Sequence, residues 1–176
     1  YRELLLRERA APLQVLSGTR EIVSWGLASL FQYFGGEIAS PADARELVEV
    51  RFWDTCQAGL TWFDHQYFCG LDVYATPFPH AEGSVRIAHP KLDLMIYRQE
   101  DMPRLAPALG EFLAIPDFAP GHANVGEDKA YSALYREFMR DFRLPGNLLA
   151  SLYETPFMRH FYSDDEREAA YRRWVG

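Results

Sequence analysis

The sequence predicts an α/β fold: a parallel sheet with helices on its faces, partly represented in this chain and helix-rich toward the C terminus. Three observations carry this reading. Residues 12–34, PLQVLSGTREIVSWGLASLFQYF, read as a buried strand, a tight turn and a long helix. Residues 92–97, LDLMIY, form a second β-compatible run that leads into a helical pattern. Beyond residue 127, apolar residues recur at helical spacing almost to the end.

The elements follow in order. Residues 1–9 interleave charge with Leu4-Leu5-Leu6, as the tail of a helix would. The first strand runs over 13–16 and breaks at Ser17-Gly18-Thr19. Ile22, Trp25, Leu27, Leu30, Phe31 and Phe34 then define a helix that stops at Gly35-Gly36. Ser40 is placed to cap the next helix, with Pro41 at its first position and Asp43 three residues after the cap. Its pattern runs to Leu60, with a continuation into 62–68 across a break at Gly59. Residues 70–88 are rich in Gly, Pro and aromatics and read as loop with short strands at 71–74 and 84–87. Asp93 within the 92–97 strand argues for an edge or end position. A helix follows over 102–113, with Asp101 as N-cap and Pro107 tolerated near its start. Residues 127–142 carry Tyr131, Leu134, Tyr135, Phe138 and Phe142 on one stripe. Two more helices are expected at 148–153 and 164–174, the second with Ser163 and Glu166 at capping-box spacing.

Composition bounds the function. A length of 176 residues suits one domain with a real core, spanning 1–176, and 48% apolar residues rule out a disordered chain. A net charge of −7 argues against nucleic acid as a partner, so any bound anion must be held by local arginines and N–H groups. No apolar run approaches the roughly 20 residues of a membrane span, and no secretory signal pattern is present, which together read as a cytoplasmic chain. A start at Tyr1 without Met reads as a piece of something longer. Cys56 and Cys69 make neither a disulfide framework nor a zinc signature and read as reduced, buried thiols. The remaining histidines show no metal spacing, and no metal is expected.

Three constellations carry candidate chemistry. Arg20 follows the first strand at the point where anions bind in open α/β sheets, beside the N–H groups and dipole of the next helix. Ser17, Thr19, Ser24 and Ser29 add hydroxyl donors. The plainer alternative is a surface arginine paired with Glu21 or another carboxylate, with Ser24 and Ser29 capping or facing solvent. The second constellation, Asn124 to Lys129, gives Gly126 backbone freedom and offers the Lys129 cation before a helix; it also reads as an ordinary acidic helix start. In the third, Asp64 and His65 lie among aromatics that can tune a general base, although neighbouring helical residues do not face each other. The aromatic loop 74–78 suits either sugar stacking or core packing.

The order of these pieces resembles the sulfotransferase superfamily, whose donor is 3′-phosphoadenosine-5′-phosphosulfate. Within it, the likeness is to the bacterial putative capsular polysaccharide synthesis proteins. LSGTREIVSWGLASLFQYF looks like the family's strand–Arg–x–Pro–helix element, which binds the donor's 3′-phosphate. LDLMIYRQEDMPRLAPALGEFLAI looks like its late strand, Glu-Asp-Leu turn and helix, and NVGEDKAYSALYREF like its late Gly-x-x-Lys loop. WFDHQYFCGLDVYATPF and HFYSDDEREAAYRRW also resemble segments of the capsular-synthesis group, so the likeness covers most of the chain from about residue 12 on.

The resemblance implies a P-loop-type sheet and transfer of a sulfuryl group to a hydroxyl or amine of a bacterial surface glycan, in capsular polysaccharide biosynthesis. It puts Arg20 at the donor's 3′-phosphate, helped by Ser24 or Ser29, and the Gly126–Lys129 loop at the nucleotide, with no metal; the resemblance does not identify the base, for which His65 or Asp64, among aromatics, is this chain's candidate. Ile22 stands where the family has Pro, and Ala28 where it has Ser. The family's N-terminal phosphosulfate loop has no counterpart in residues 1–11. The alternative is therefore a degenerate, non-catalytic domain that binds nucleotide or a protein partner. A P-loop kinase fits less well, since neither a Walker-type loop nor a magnesium carboxylate motif is present. With so few strands, the isolated chain is expected to expose an apolar sheet edge and to associate, as in a homo-oligomer.

Overall fold

The computed structural model describes residues 12–64, 70–121 and 129–176. The chain is α/β, with a small mixed sheet and mostly helices. It falls into two compact units. One contains the described residues up to Arg20 together with 62–120; the other contains 21–61 and 121–176.

The first unit holds the sheet. Strands β1 (Leu13–Thr19), β2 (Ser84–Ala88) and β3 (Leu92–Arg98) are arranged in the order β1-β3-β2. β1 runs parallel to β3, from Leu13 opposite Leu92 to Thr19 opposite Arg98. β2 runs antiparallel to β3 through a tight connection at His89–Leu92, so the sheet is mixed where an all-parallel one was expected.

β3 is central, not an edge. The Asp93 carboxylate is tolerated on the inner strand because the Arg86 guanidinium reaches it from β2, at 2.8 and 2.6 Å. Arg86 holds the Asp93 carboxyl below the usual carboxylate range. β1 extends beyond the expected break, because Ser17-Gly18-Thr19 keeps pairing with β3 and Gly18 leaves room for the Tyr97 ring, 3.1 Å from where a Cβ would stand. Residues 71–74 are not a strand. Asp72 accepts the Tyr74 N–H at 3.0 Å and turns the chain into a single 3-10 turn, Val73–Ala75.

In the second unit, α1 (Ile22–Phe34) packs on α2 (Pro41–Leu60). Gly26 permits this approach, since a Cβ there would meet the Cys56 sulfur at 2.8 Å. Ser40 caps α2 by accepting the Asp43 N–H at 3.2 Å. α2 ends at Leu60, and a separate 3-10 turn follows at Trp62–Asp64.

In the sheet unit, α3 (Met102–Leu113) buries Leu105, Leu109 and Phe112 against Met95 of β3. Asp101 precedes α3 but makes no capping bond with its side chain. The remaining helices belong to the second unit: α4 (Ser132–Asp141), α5 (Gly146–Tyr153), α6 (Pro156–Phe161) and α7 (Asp164–Trp174). α4 starts later than the stripe suggested. α6 went unread from the sequence, although Thr155 caps it and Pro156 stands in its first turn. The Ser163–Glu166 capping box of α7 is formed in both directions. Phe31, Phe138, Phe142 and Trp174 make a continuous aromatic core, with ring centroids 4.9 to 6.2 Å apart. No described helix is long and apolar enough to cross a membrane.

Gly83 has φ +75°, and a Cβ there would collide with the Asp101 carboxylate. Gly83→Ala is expected to cost about 2–4 kcal/mol, from left-handed backbone plus displacement of that carboxylate. A urea melt of the variant checks it; an unchanged midpoint counts against the tight packing of this turn.

Candidate functional site

Parallel pairing puts the carboxyl ends of β1 and β3 level, and each end carries an arginine. Thr19 is buried, and its hydroxyl donates to the Tyr97 carbonyl at 3.3 Å. Arg20 follows at once and is half-buried. Among the described residues its guanidinium makes no hydrogen bond or ion pair, so the expected pairing with Glu21 is not formed.

Arg98, at the end of β3, is the opposite case. It is 4% exposed and fully engaged. Its Nε donates to Asp101 Oδ2 at 2.6 Å, its Nη2 donates to the His80 carbonyl at 2.9 Å, and its guanidinium lies 5.9 Å from the Phe78 ring centre. Arg104 approaches the other Asp101 oxygen at 2.9 Å and donates to the Glu82 carbonyl at 2.8 Å. Asp101 therefore serves two arginines, which explains why it does not cap α3. One arginine at the strand ends is locked into the fold, and the other has no partner among the described residues.

The start of α1 differs from its sequence reading. There the first N–H groups were expected to join Arg20 in seating an anion. They instead bond the protein's own Glu21 carboxylate. Oε1 accepts the Val23 N–H at 2.8 Å and the Tyr153 hydroxyl at 2.8 Å. Oε2 accepts the Ser24 N–H at 2.9 Å, the Ser24 hydroxyl at 2.6 Å and the Trp174 indole N–H at 3.2 Å. Burial, then the Glu21 charge, pushes the Tyr153 hydroxyl far above its ordinary value. The same two causes, in the same order, raise the Cys56 thiol, which lies 3.8 Å from the Ile22 carbonyl.

The other expected site residues lie as follows. Ser24 is brought to Glu21, while Ser29 is half-buried within α1. Lys129 is half-buried and its carbonyl accepts the Ser132 N–H at 2.9 Å. Asp64 is exposed at the end of its 3-10 turn. His65 and Gly126, with Cys69, lie outside the described residues. In the aromatic loop Phe78 is buried beneath Arg98, and Tyr74 is half-buried, with its hydroxyl raised to about 12 by burial and by Asp64 and Asp72. Glu21, Tyr153 and Trp174 were not read as a group from the sequence. No local signal joins them, because their bonds span 132 and 153 residues. Among the described residues no group of three His, Cys, Asp or Glu side chains is placed to hold a metal.

The geometry thus defines a class: an α/β chain with an unengaged guanidinium at the exit of a parallel strand. Comparisons with family models, with curated proteins and with solved structures found no match.

Removing the Glu21 side chain leaves buried donors without an acceptor. Glu21→Ala is expected to lower stability by about 3–5 kcal/mol, and Tyr153→Phe by about 1–2 kcal/mol, in urea denaturation. A Glu21→Ala midpoint equal to wild type would remove the carboxylate from its structural role. Alkali gives a second test. Cys56 and Tyr153 are neutral when protonated, and both are raised in the fold, so the unfolded chain sheds these protons first. Stability from these groups is level below 9.0 and falls as pH rises past it, with Tyr153 adding to the fall above 10.0. Melting temperatures from about pH 8 to about pH 11 should show this, with a shallower fall above pH 10 for Tyr153→Phe.

Proposed function

We propose that this chain is the nucleotide-binding part of a sulfuryl transferase and that Arg20 receives the 3′-phosphate of 3′-phosphoadenosine-5′-phosphosulfate. One observation carries the reading: a half-buried guanidinium without a partner among the described residues, at the carboxyl end of a parallel strand pair. A phosphate is the natural partner of such a group, because an arginine fork can give it two charge-assisted hydrogen bonds. The segment resemblance around Arg20 supplies the donor's identity.

In the transfer, a hydroxyl or amine of a bacterial surface glycan attacks sulfur. The bond from sulfur to the bridging oxygen breaks, and adenosine 3′,5′-bisphosphate leaves. Asp64 or His65 takes the acceptor's proton. The protein's part is positioning and charge neutralisation. In the family that the chain resembles, a Gly-rich loop holds the 5′-phosphosulfate.

A second reading, a degenerate domain that binds nucleotide or protein without turnover, is favoured by Glu21. Its carboxylate already holds the first amides of α1 and the Ser24 hydroxyl. Ile22 and Ala28 point the same way.

Calorimetry with adenosine 3′,5′-bisphosphate tests the assignment. Arg20→Gln is expected to weaken binding by about 10- to 100-fold, the worth of a charge-assisted contact of about 1.5–3 kcal/mol. Its melting temperature should match wild type, because the guanidinium bonds to no other group among the described residues. Equal affinity of variant and wild type rejects the site. Binding without sulfuryl transfer from the donor selects the second reading.

A further inference from the structure

The helical unit carries a groove of about 560 Å³ that the Arg20 reading does not use. It opens between α2 and the segment that joins α4 to α5. Its size falls within the range of small-molecule sites, roughly 300–1,000 Å³. The floor is apolar and rigid: Phe52 and Phe142 meet edge to face at 6.2 Å, and Leu148 completes it from α5. Trp53 stands at the wall with 44% of its surface exposed, which is unusual for an indole without a partner surface.

The rim carries charge. Among the described residues Arg45 has neither a hydrogen bond nor an ion pair. Arg143 is fixed by donating Nη1 to the carbonyls of Phe142 at 2.6 Å and Arg140 at 3.3 Å, and no described carboxylate neutralises it. Asp141 also lines the groove, but Arg140 pairs with it at 3.3 Å. Glu49, one helical turn from Arg45, offsets one of the two remaining guanidiniums. The lining charges alone balance, and Arg140, paired with Asp141 from outside the lining, makes the local field positive by about one charge. That balance suits a single negative charge and disfavours a phosphate dianion, which Glu49 would repel.

We propose that this groove binds a flat aromatic monoanion, a ring system bearing one carboxylate or sulfonate. The ring lies over Phe52 and Phe142 against the Trp53 indole, and the acid group reaches Arg45, with Arg143 on the opposite rim. The site is independent of Arg20 and its nucleotide.

The test is a fluorescence titration of the full chain with 8-anilinonaphthalene-1-sulfonate, which has this chemistry. One saturable site per chain is expected. Arg45→Gln should weaken it about tenfold, as loss of one charge-assisted contact would. Leu148→Trp should abolish it by filling the floor, and near-UV circular dichroism establishes that the variant is folded. Trp53→Ala, a change at an exposed helix surface, gives a second variant that keeps the fold and should also lose binding at least tenfold. N-Phenyl-1-naphthylamine, which has the same rings without the sulfonate, should bind at least tenfold more weakly. The proposal is overturned if Arg45→Gln and Trp53→Ala both bind like wild type, if the neutral probe binds as tightly, or if the sulfonate occupies many equal sites.

Discussion

A buried carboxylate needs partners, and in the helical unit that need organises the packing around Glu21. Moving an ionised carboxylate out of water costs several kcal/mol even after the protein relaxes. Five donors from the start of α1, the end of α5 and the end of α7 meet that cost. The same bonds close the first turn of α1, whose N–H groups have no partner within the helix. The C-terminal helix is thereby tied to the first one through Trp174, whose ring also joins the aromatic core at Phe142. One side chain satisfies a helix start, a tyrosine and an indole together, so each of these groups depends on the others being in place.

The sheet unit solves a related problem with the opposite charge. Arg98 ends the central strand and is buried, so its guanidinium requires both a carboxylate and a carbonyl. Asp101 supplies the carboxylate only because Gly83 lets it come close. Across the parallel pairing Arg20 occupies the equivalent strand end without any such arrangement. Two arginines at level strand ends thus differ: among the described residues one is fully bonded and the other makes neither a hydrogen bond nor an ion pair.

Local chemistry was enough to read the elements whose ends are set by neighbouring residues. The Ser40 cap with Pro41, the Ser163–Glu166 box and the apolar stripes of α1 and α2 each depend on residues within a turn or two. Elements decided at longer range were misread. Ser17-Gly18-Thr19 has the composition of a turn, yet pairing with β3 keeps it extended. Asp93 looked like an edge residue because its partner, Arg86, lies on another strand. The 71–74 segment was misread for a local reason: its composition suits a strand, but the Asp72 side chain holds a turn two residues on.

The sequence by itself determined the α/β class, most helix positions and the presence of Arg20 directly after a strand. These follow from periodicity and capping, which act over a few residues. Only the tertiary structure decided which charges are engaged. Glu21 looked like Arg20's partner and is instead bonded to Tyr153 and Trp174, while Asp101 looked like a helix cap and is held by two arginines. The physical reason is that a charge's partner is set by burial and three-dimensional proximity, and neither is written in the spacing of residues along the chain.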